Sequence, residues 1–292
     1  MGNPFFIVDV FAEAKYAGNQ LAVVVHDGEL GGDAMQRIAR ETNFSETTFV
    51  QRPQRPDGAW DVRIFTPAAE LPFAGHPTLG TAWVLRHCID PARPDAVVLQ
   101  LPVGPTPVRF AGDGSGAVGW LTAPYPAFGR HFEPAPLADL LGLGPDDLDP
   151  DLPVAEVTLG PAFTFVPLAD RAALARARFR SDRHEAMQHL DLPPCVFAFC
   201  RSEDDDVDLR ARMFATPLGI VEDPATGSAN ACLAAYLLRH VERDRASIAV
   251  TVAQGVEMGR PSLLRLAAER RGDQAVIEVG GRVELTVRGK LV

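Results

Sequence analysis

The sequence predicts an α+β protein built from two similar halves. Three observations carry that reading: a strand-rich apolar pattern with few helical stretches, a segment repeated at a constant offset, and a length that suits one large domain or two ordinary ones. The chain has 292 residues, and domains commonly take roughly 100–200 residues each. Hydrophobic residues make up 47% and charged residues 23%. That mixture fits an ordinary globular protein and excludes disorder, coiled coil and collagen.

The elements follow in order. Phe5–Val10 and Leu21–Val25 are β-rich apolar runs, and Gly32–Glu41 spaces Met35, Ile38 and Ala39 as a helix does. Thr47–Val50 and the alternating Trp60–Phe65 read as strands. Pro77–His87 reads as a helix, with proline in the first turn, where its missing N–H costs nothing. Strands are expected at Ala96–Leu101, Pro107–Phe110 and Val118–Leu121. The Pro-rich stretch Ala123–Pro136 breaks the pattern and reads as a linker. Beyond it, helical segments are expected at Leu137–Leu141, Pro145–Leu148, Arg171–Ala177, Asp182–Leu190 and Ala229–His240. Strands are expected at Glu156–Leu159, Phe163–Pro167, Val196–Cys200 and Leu209–Phe214, with a closing meander from Ile248 to Val287. The halves are placed at 1–124 and 125–292; whether the last strands return to the first half stays open.

The repeat is local but regular. Pro72-Phe73-Ala74-Gly75-His76 opens one predicted helix, and Pro224-Ala225-Thr226-Gly227-Ser228 opens another, 152 residues later. Glu70 and Glu222 each stand two residues before the proline, and Arg63-Ile64-Phe65 is echoed by Arg212-Met213-Phe214. Duplication of a strand–loop–helix unit explains this. The alternative is a chance likeness of two helix starts rich in small residues.

The charge is 28 − 38 = −10, which argues against phosphate-backbone binding and so against a nucleic-acid partner. No run approaches the ~18 apolar residues of a membrane span, and Met1-Gly2-Asn3-Pro4 lacks the basic start of a secretory signal. A cytoplasmic protein is expected. Cys88, Cys195, Cys200 and Cys232 lie in apolar segments without a C-x-x-C pair, which points to buried free thiols. Gly114-x-Gly116-x-x-Gly119 resembles a dinucleotide fingerprint, yet a strand follows it where that motif needs a helix. His184 and His189 are five apart, so a helix would aim them about 140° apart. No metal site is expected there, and the acidic run Glu203–Asp208 reads as a solvated loop.

Three segments carry chemistry together. Asn43-Phe44-Ser45-Glu46 places one carboxylate between a helix end and a strand. Desolvation there would tune Glu46 toward general acid/base work. The two repeat loops end at helix starts, whose unpaired N–H groups and positive dipole end suit an anion. Taken singly, Glu46 reads as a turn cap, His76 as a helix cap and Asp223 as a turn former. Taken jointly, they outline a site for a carboxylate-bearing molecule.

Val8-Asp9-Val10-Phe11, Gly18-Asn19-Gln20-Leu21, Asn43-Phe44-Ser45-Glu46-Thr47-Thr48-Phe49, Arg63-Ile64-Phe65, Glu70–Gly80 and Glu222–Ala229 resemble, in the same order, the PhzF-like phenazine-biosynthesis family. The resemblance covers nearly the whole chain. It implies the diaminopimelate epimerase-like fold: two similar halves, each a mostly antiparallel sheet wrapped around a central helix, with the active site in the cleft between them. It also implies an isomerase that moves a proton on a small, amino-acid-like carboxylate substrate without cofactor or metal, and a homodimer. Glu46 would be the general acid/base, with His76 and Asp223 as catalytic partners. Asn19, Gly75, Gly227 and Ser228 would bind the substrate. Tyr16, Phe44 and Met213 are weaker candidates for the lining. The family commonly has proline after Gly-Asn, where this chain has Gln20. No thiol stands at either loop, so a two-thiol racemase is disfavoured. Two other readings stay open: a lyase or hydrolase using Ser45, His76 and Asp223, and a non-catalytic binding protein.

Overall fold

The elements follow from where apolar side chains can be buried. A computed structural model describes residues 2–112 and 114–292; Met1, part of the N-terminal segment read above, lies outside them. The chain divides into two compact units, Met1–Thr122 with Gly280–Val292, and Ala123–Val279.

The first unit contains β1 (Asn3–Val10), β2 (Asn19–His26), α1 (Gly32–Thr42), β3 (Glu46–Gln51), β4 (Trp60–Phe65), β5 (Glu70–Leu71), α2 (Gly75–Val84), β6 (Ala96–Leu101), β7 (Gly104–Ala111) and β8 (Val118–Ala123). β1 pairs antiparallel with β2 on one side. On its other side it takes the C-terminal strand Val283–Leu291, from Val10↔Val283 to Asn3↔Leu291. The segment from Gly280 onward therefore belongs with the first unit and not with a second half running from 125 to 292. It covers an edge of β1 that would otherwise present unpaired backbone groups. β2 and β3 run parallel, and a parallel pair needs a crossover, which α1 supplies. β3 and β4 are antiparallel. β4 and β6 are again parallel, with α2 as the crossover, and β6, β7 and β8 form a meander.

Helix α2 is the centre of this unit. Every residue from His76 to Val84 is buried, as befits a helix apolar on all sides. It packs on β1, β2, β3, β6 and β7. Gly80 permits this approach: a Cβ there would lie 2.7 Å from Leu21 Cδ2 and 2.7 Å from Val10 Cγ2. The helix starts two residues before the predicted Pro77 and ends in a wider π-helical turn, Leu85–Ile89. α1 lies on the opposite face of the sheet, where Met35 and Ala39 pack with Val24, Phe49 and Phe65.

The second unit contains β9 (Ala127–His131), α3 (Pro134–Leu140), β10 (Ala155–Thr158), β11 (Ala162–Pro167), α4 (Arg171–Arg176), α5 (Ser181–Ala186), β12 (Cys195–Arg201), β13 (Leu209–Ala215), β14 (Ile220–Asp223), α6 (Gly227–His240), β15 (Ser247–Gln254), β16 (Ser262–Arg271) and β17 (Gln274–Gly281). The predicted linker Ala123–Pro136 is more ordered than expected. Its proline-free middle forms β9, which pairs with β10 through Thr158↔Ala127 and Val157↔Phe128.

The wiring of the first unit recurs. β10 and β11 are antiparallel. β11 and β12 are parallel, with α4 and α5 between them. β12 and β13 are antiparallel, β13 and β15 parallel with α6 between them, and β15 and β16 antiparallel. α6 is buried from Ala229 to Leu238. Its Tyr236 ring stacks on Phe165, and the Tyr236 hydroxyl donates to the Pro153 carbonyl at 2.6 Å. The sequence repeat is thus a repeat of whole strand–helix units.

Candidate active site

In the first unit, α1 ends at Asn43, which adopts a left-handed conformation (φ 53°) and donates its N–H to Ala39 O. The chain turns through Phe44 and exposed Ser45 and enters β3 at Glu46, opposite Leu21 of β2. Strand periodicity puts Glu46 and Thr48 on one face. Thr48 meets Thr81 of α2, hydroxyl to hydroxyl at 2.7 Å, so that face looks at the central helix. His76 stands at the start of α2, and its Nε2 lies 3.4 Å from Glu46 Oε2. The His76 side chain is 8% exposed and that of Glu46 16%.

Burial pushes His76 down to about 3, opposed only by a hydrogen bond to the Gln20 backbone. His76 is therefore neutral at ordinary pH. Its Nε2 makes no hydrogen bond within the protein, so the bond to Gln20 is made by Nδ1. A carbonyl acceptor is available whether residue 20 is glutamine or proline. The ring thus turns an unprotonated nitrogen toward the Glu46 carboxyl group. The contact is polar and not an ion pair.

In the second unit, β14 delivers Asp223 at 9% exposure, opposite Met213 of β13. Asp223 Oδ2 accepts from the Thr226 hydroxyl at 2.5 Å. α6 then begins at Gly227, with Ser228 next, and no side chain caps its start. The start of α2 at Gly75 is likewise uncapped by a side chain. Such N–H groups are ready donors for an anion.

Each loop is anchored by an Arg–Glu fork. Arg63 donates to Glu70 through Nε (2.7 Å) and Nη2 (2.6 Å). Arg212 donates to Glu222 through Nε (3.0 Å) and Nη2 (2.7 Å). Each guanidinium also covers a phenylalanine ring two residues on, Phe65 at 5.0 Å and Phe214 at 4.9 Å. The echo of Arg-x-Phe and Glu in the sequence is this device. β5 and β14, the short strands that carry the glutamates, are not among the strands the sequence predicts.

Asn19 is buried at the start of β2, opposite Val10. Tyr16 is 73% exposed, and Met213 is buried and pairs with Asp223 of β14. The four cysteines are free, three of them buried. His184 packs 5.5 Å from the Phe179 ring, and Gly114–Gly116 forms a short helical turn between β7 and β8. Among the described residues no group of three His, Cys, Asp or Glu side chains could hold a metal, and no helix is long and apolar enough to cross a membrane.

Residues 8–289 match the family of phenazine biosynthesis-like proteins. A trans-2,3-dihydro-3-hydroxyanthranilate isomerase of Pseudomonas aeruginosa is 37% identical over 288 residues, which cover 98% of each chain. A predicted epimerase from Pseudomonas aeruginosa has a solved structure with a TM-score of 0.79 and 32% identity over 99% of each chain. The crystal structure of a PhzF family phenazine biosynthesis protein from Bacillus anthracis aligns with 100% of this chain and 99% of its own, at a TM-score of 0.88. At 23% identity that likeness speaks for the fold alone. Together the fold and the relatives define an isomerase of the epimerase-like α+β class. The chain belongs to the phenazine biosynthesis-like family, the PhzF family.

Proposed function

We propose that this isomerase shifts a proton between two carbons of a small, carboxylate-bearing, amino-acid-like substrate, with Glu46 as the general acid/base. The observation that carries this reading is the approach of Glu46 Oε2 to His76 Nε2, 3.4 Å apart with both side chains largely shielded from water. A carboxylate takes a C–H proton, and the resulting carboxyl group returns it at another carbon; no atoms or electrons are gained or lost. His76 and Asp223 orient the substrate and help to handle the proton. Gly75, Gly227 and Ser228, at the two uncapped helix starts, hold the substrate carboxylate with backbone N–H groups and the Ser228 hydroxyl, and Asn19 assists. The reaction uses no organic cofactor or metal, and the protein works as a cytoplasmic homodimer.

The relative's trans-2,3-dihydro-3-hydroxyanthranilate is the first substrate to test. In deuterated water, wild-type protein is expected to convert it with label incorporated at carbon. Glu46→Gln is expected to lower that rate by roughly 10²–10⁴-fold, the usual contribution of a general acid/base. Full exchange by Glu46→Gln removes Glu46 from the mechanism. Labelling of Ser45 by a serine-directed phosphonate would favour the hydrolase reading instead.

A further inference from the structure

The second loop is locked by a device that the first lacks. Gln254, the last residue of β15, is completely buried, and its carboxamide uses both ends. Nε2 donates to the Asp223 carbonyl at 2.9 Å and to Thr226 Oγ1 at 3.1 Å. Oε1 accepts from the Thr226 N–H at 3.2 Å and from Asn230 Nδ2 at 2.9 Å. Two donors and two acceptor sites are all that a primary amide has. Asn230, also fully buried, donates further to the Thr226 carbonyl at 3.0 Å. The neighbouring Gly255 (φ +73°) brings the strand end against the loop, where a Cβ would lie 2.7 Å from the Pro224 carbonyl oxygen.

The direction of these bonds matters. Because the Gln254 amide donates to Thr226 Oγ1, the Thr226 proton turns outward, to Asp223 Oδ2. One buried amide thus aims the Thr226 hydroxyl at the Asp223 carboxylate and pins the backbone just before Gly227 and Ser228.

The equivalent place in the first unit has leucine where the second has Gln254; there the Thr78 hydroxyl donates to the Ala74 carbonyl at 2.7 Å, as Asn230 does to that of Thr226. Gln100 pairs with Asp61 and Ala253 with Arg210 on matching parallel strands, so Leu101 corresponds to Gln254. At the offset of 152, Leu71, Ala74 and Thr78 correspond to Asp223, Thr226 and Asn230. Only the second copy carries the amide network.

We propose that Gln254 is a positioning residue: it sets the Asp223 carboxylate and the start of α6 in the shape the isomerisation needs. This rests on the reading given under Proposed function. The test uses the full chain as wild type, Gln254→Leu and Gln254→Glu. Amide hydrogen exchange is followed at Thr226–Asn230, and turnover of trans-2,3-dihydro-3-hydroxyanthranilate is measured in parallel. In Gln254→Leu, exchange at those amides is expected to rise about tenfold or more while the Leu233–Leu237 amides stay protected. kcat is expected to fall by roughly 10–100-fold, more than KM changes, as misplacement of a catalytic group does. Gln254→Glu loses both donors when ionised and regains one when protonated, so its kcat relative to wild type rises as the pH is lowered. A purely structural role would not produce that pH signature. Unchanged exchange in Gln254→Leu overturns the clamp, and a wild-type kcat alongside raised exchange overturns its role in catalysis. Wild-type protein that leaves the substrate unchanged counts against the proposed reaction instead, and the exchange measurements then decide the clamp by themselves.

Discussion

The Arg212 guanidinium grips the Glu222 carboxylate at two points, 3.0 and 2.7 Å, with both side chains less than a tenth exposed. Arg212 Nη1 also donates to the carbonyls of Leu174 (3.1 Å) and Ala177 (2.8 Å), so burial leaves none of its nitrogens stranded. The matching fork of Arg63 and Glu70 has side chains 41% and 35% exposed. Breaking a buried pair leaves an uncompensated charge and costs about 3–5 kcal/mol, whereas an exposed pair contributes about 0–1 kcal/mol. Glu222→Gln is expected to lower unfolding free energy by several times more than Glu70→Gln in urea titrations. Equal losses would show that the repeat is energetically symmetric.

Acid sensitivity follows from His76. Burial pushes its folded pKa down to about 3 from the ordinary 6.5 of histidine. Below about 6.5 the unfolded chain binds a proton that the folded chain refuses. The stabilisation is complete above that pH and is lost progressively as the pH falls toward about 3. Burial lowers His240, to about 4, and His26 in the same direction. His76→Gln is expected to flatten the fall of stability across this window by an amount on the order of a few kcal/mol. Urea midpoints measured from neutral to acid pH check this.

The thiols are expected to differ sharply in reactivity. Burial raises Cys195 to about 11 and Cys200 to about 12, and moves Cys232 in the same direction. Thiolate is the reactive form, so these three should resist iodoacetamide at neutral pH until the protein unfolds. Cys88 is half-buried, with an Arg288 nitrogen 3.2 Å from its sulfur, and should react first. Mass spectrometry of the alkylated peptides tests the order, and turnover should survive the first modification.

Gly80 tests the approach of α2 to the sheet. Gly80→Ala pushes a methyl group against Leu21 and the stiff Val10 side chain. Overpacking of this kind costs about 1–3 kcal/mol. Because Gly80 lies one turn beyond His76, the helix shift should also lengthen the His76–Glu46 contact. Lower stability together with lower kcat is the expected outcome. Lower stability with unchanged kcat would separate the packing from the site.

Much of this was legible in the chain. Period-two alternation marks β4, helical spacing marks α1, and the offset of 152 points to two related units. Glu46, His76 and Asp223 stood out by residue type at loop and helix boundaries. The C-terminal strand could not be assigned, since Val283–Leu291 pairs with β1 across the whole length of the chain. Gln254 gave no signal either: a glutamine ending an apolar strand is unremarkable until Asp223, 31 residues earlier, lies against it.

What the sequence determined by itself was the list of elements, the duplication and the residues able to do acid–base chemistry, because side-chain periodicity and capping act over a few residues. Tertiary structure decided which of those residues meet. Glu46 and His76 are 30 positions apart, and they come within 3.4 Å only because β3 is in parallel register with β2 while α2 lies close on both. The neutrality of His76 is decided in the same way. It comes from burial, which belongs to the packed fold and not to the local sequence.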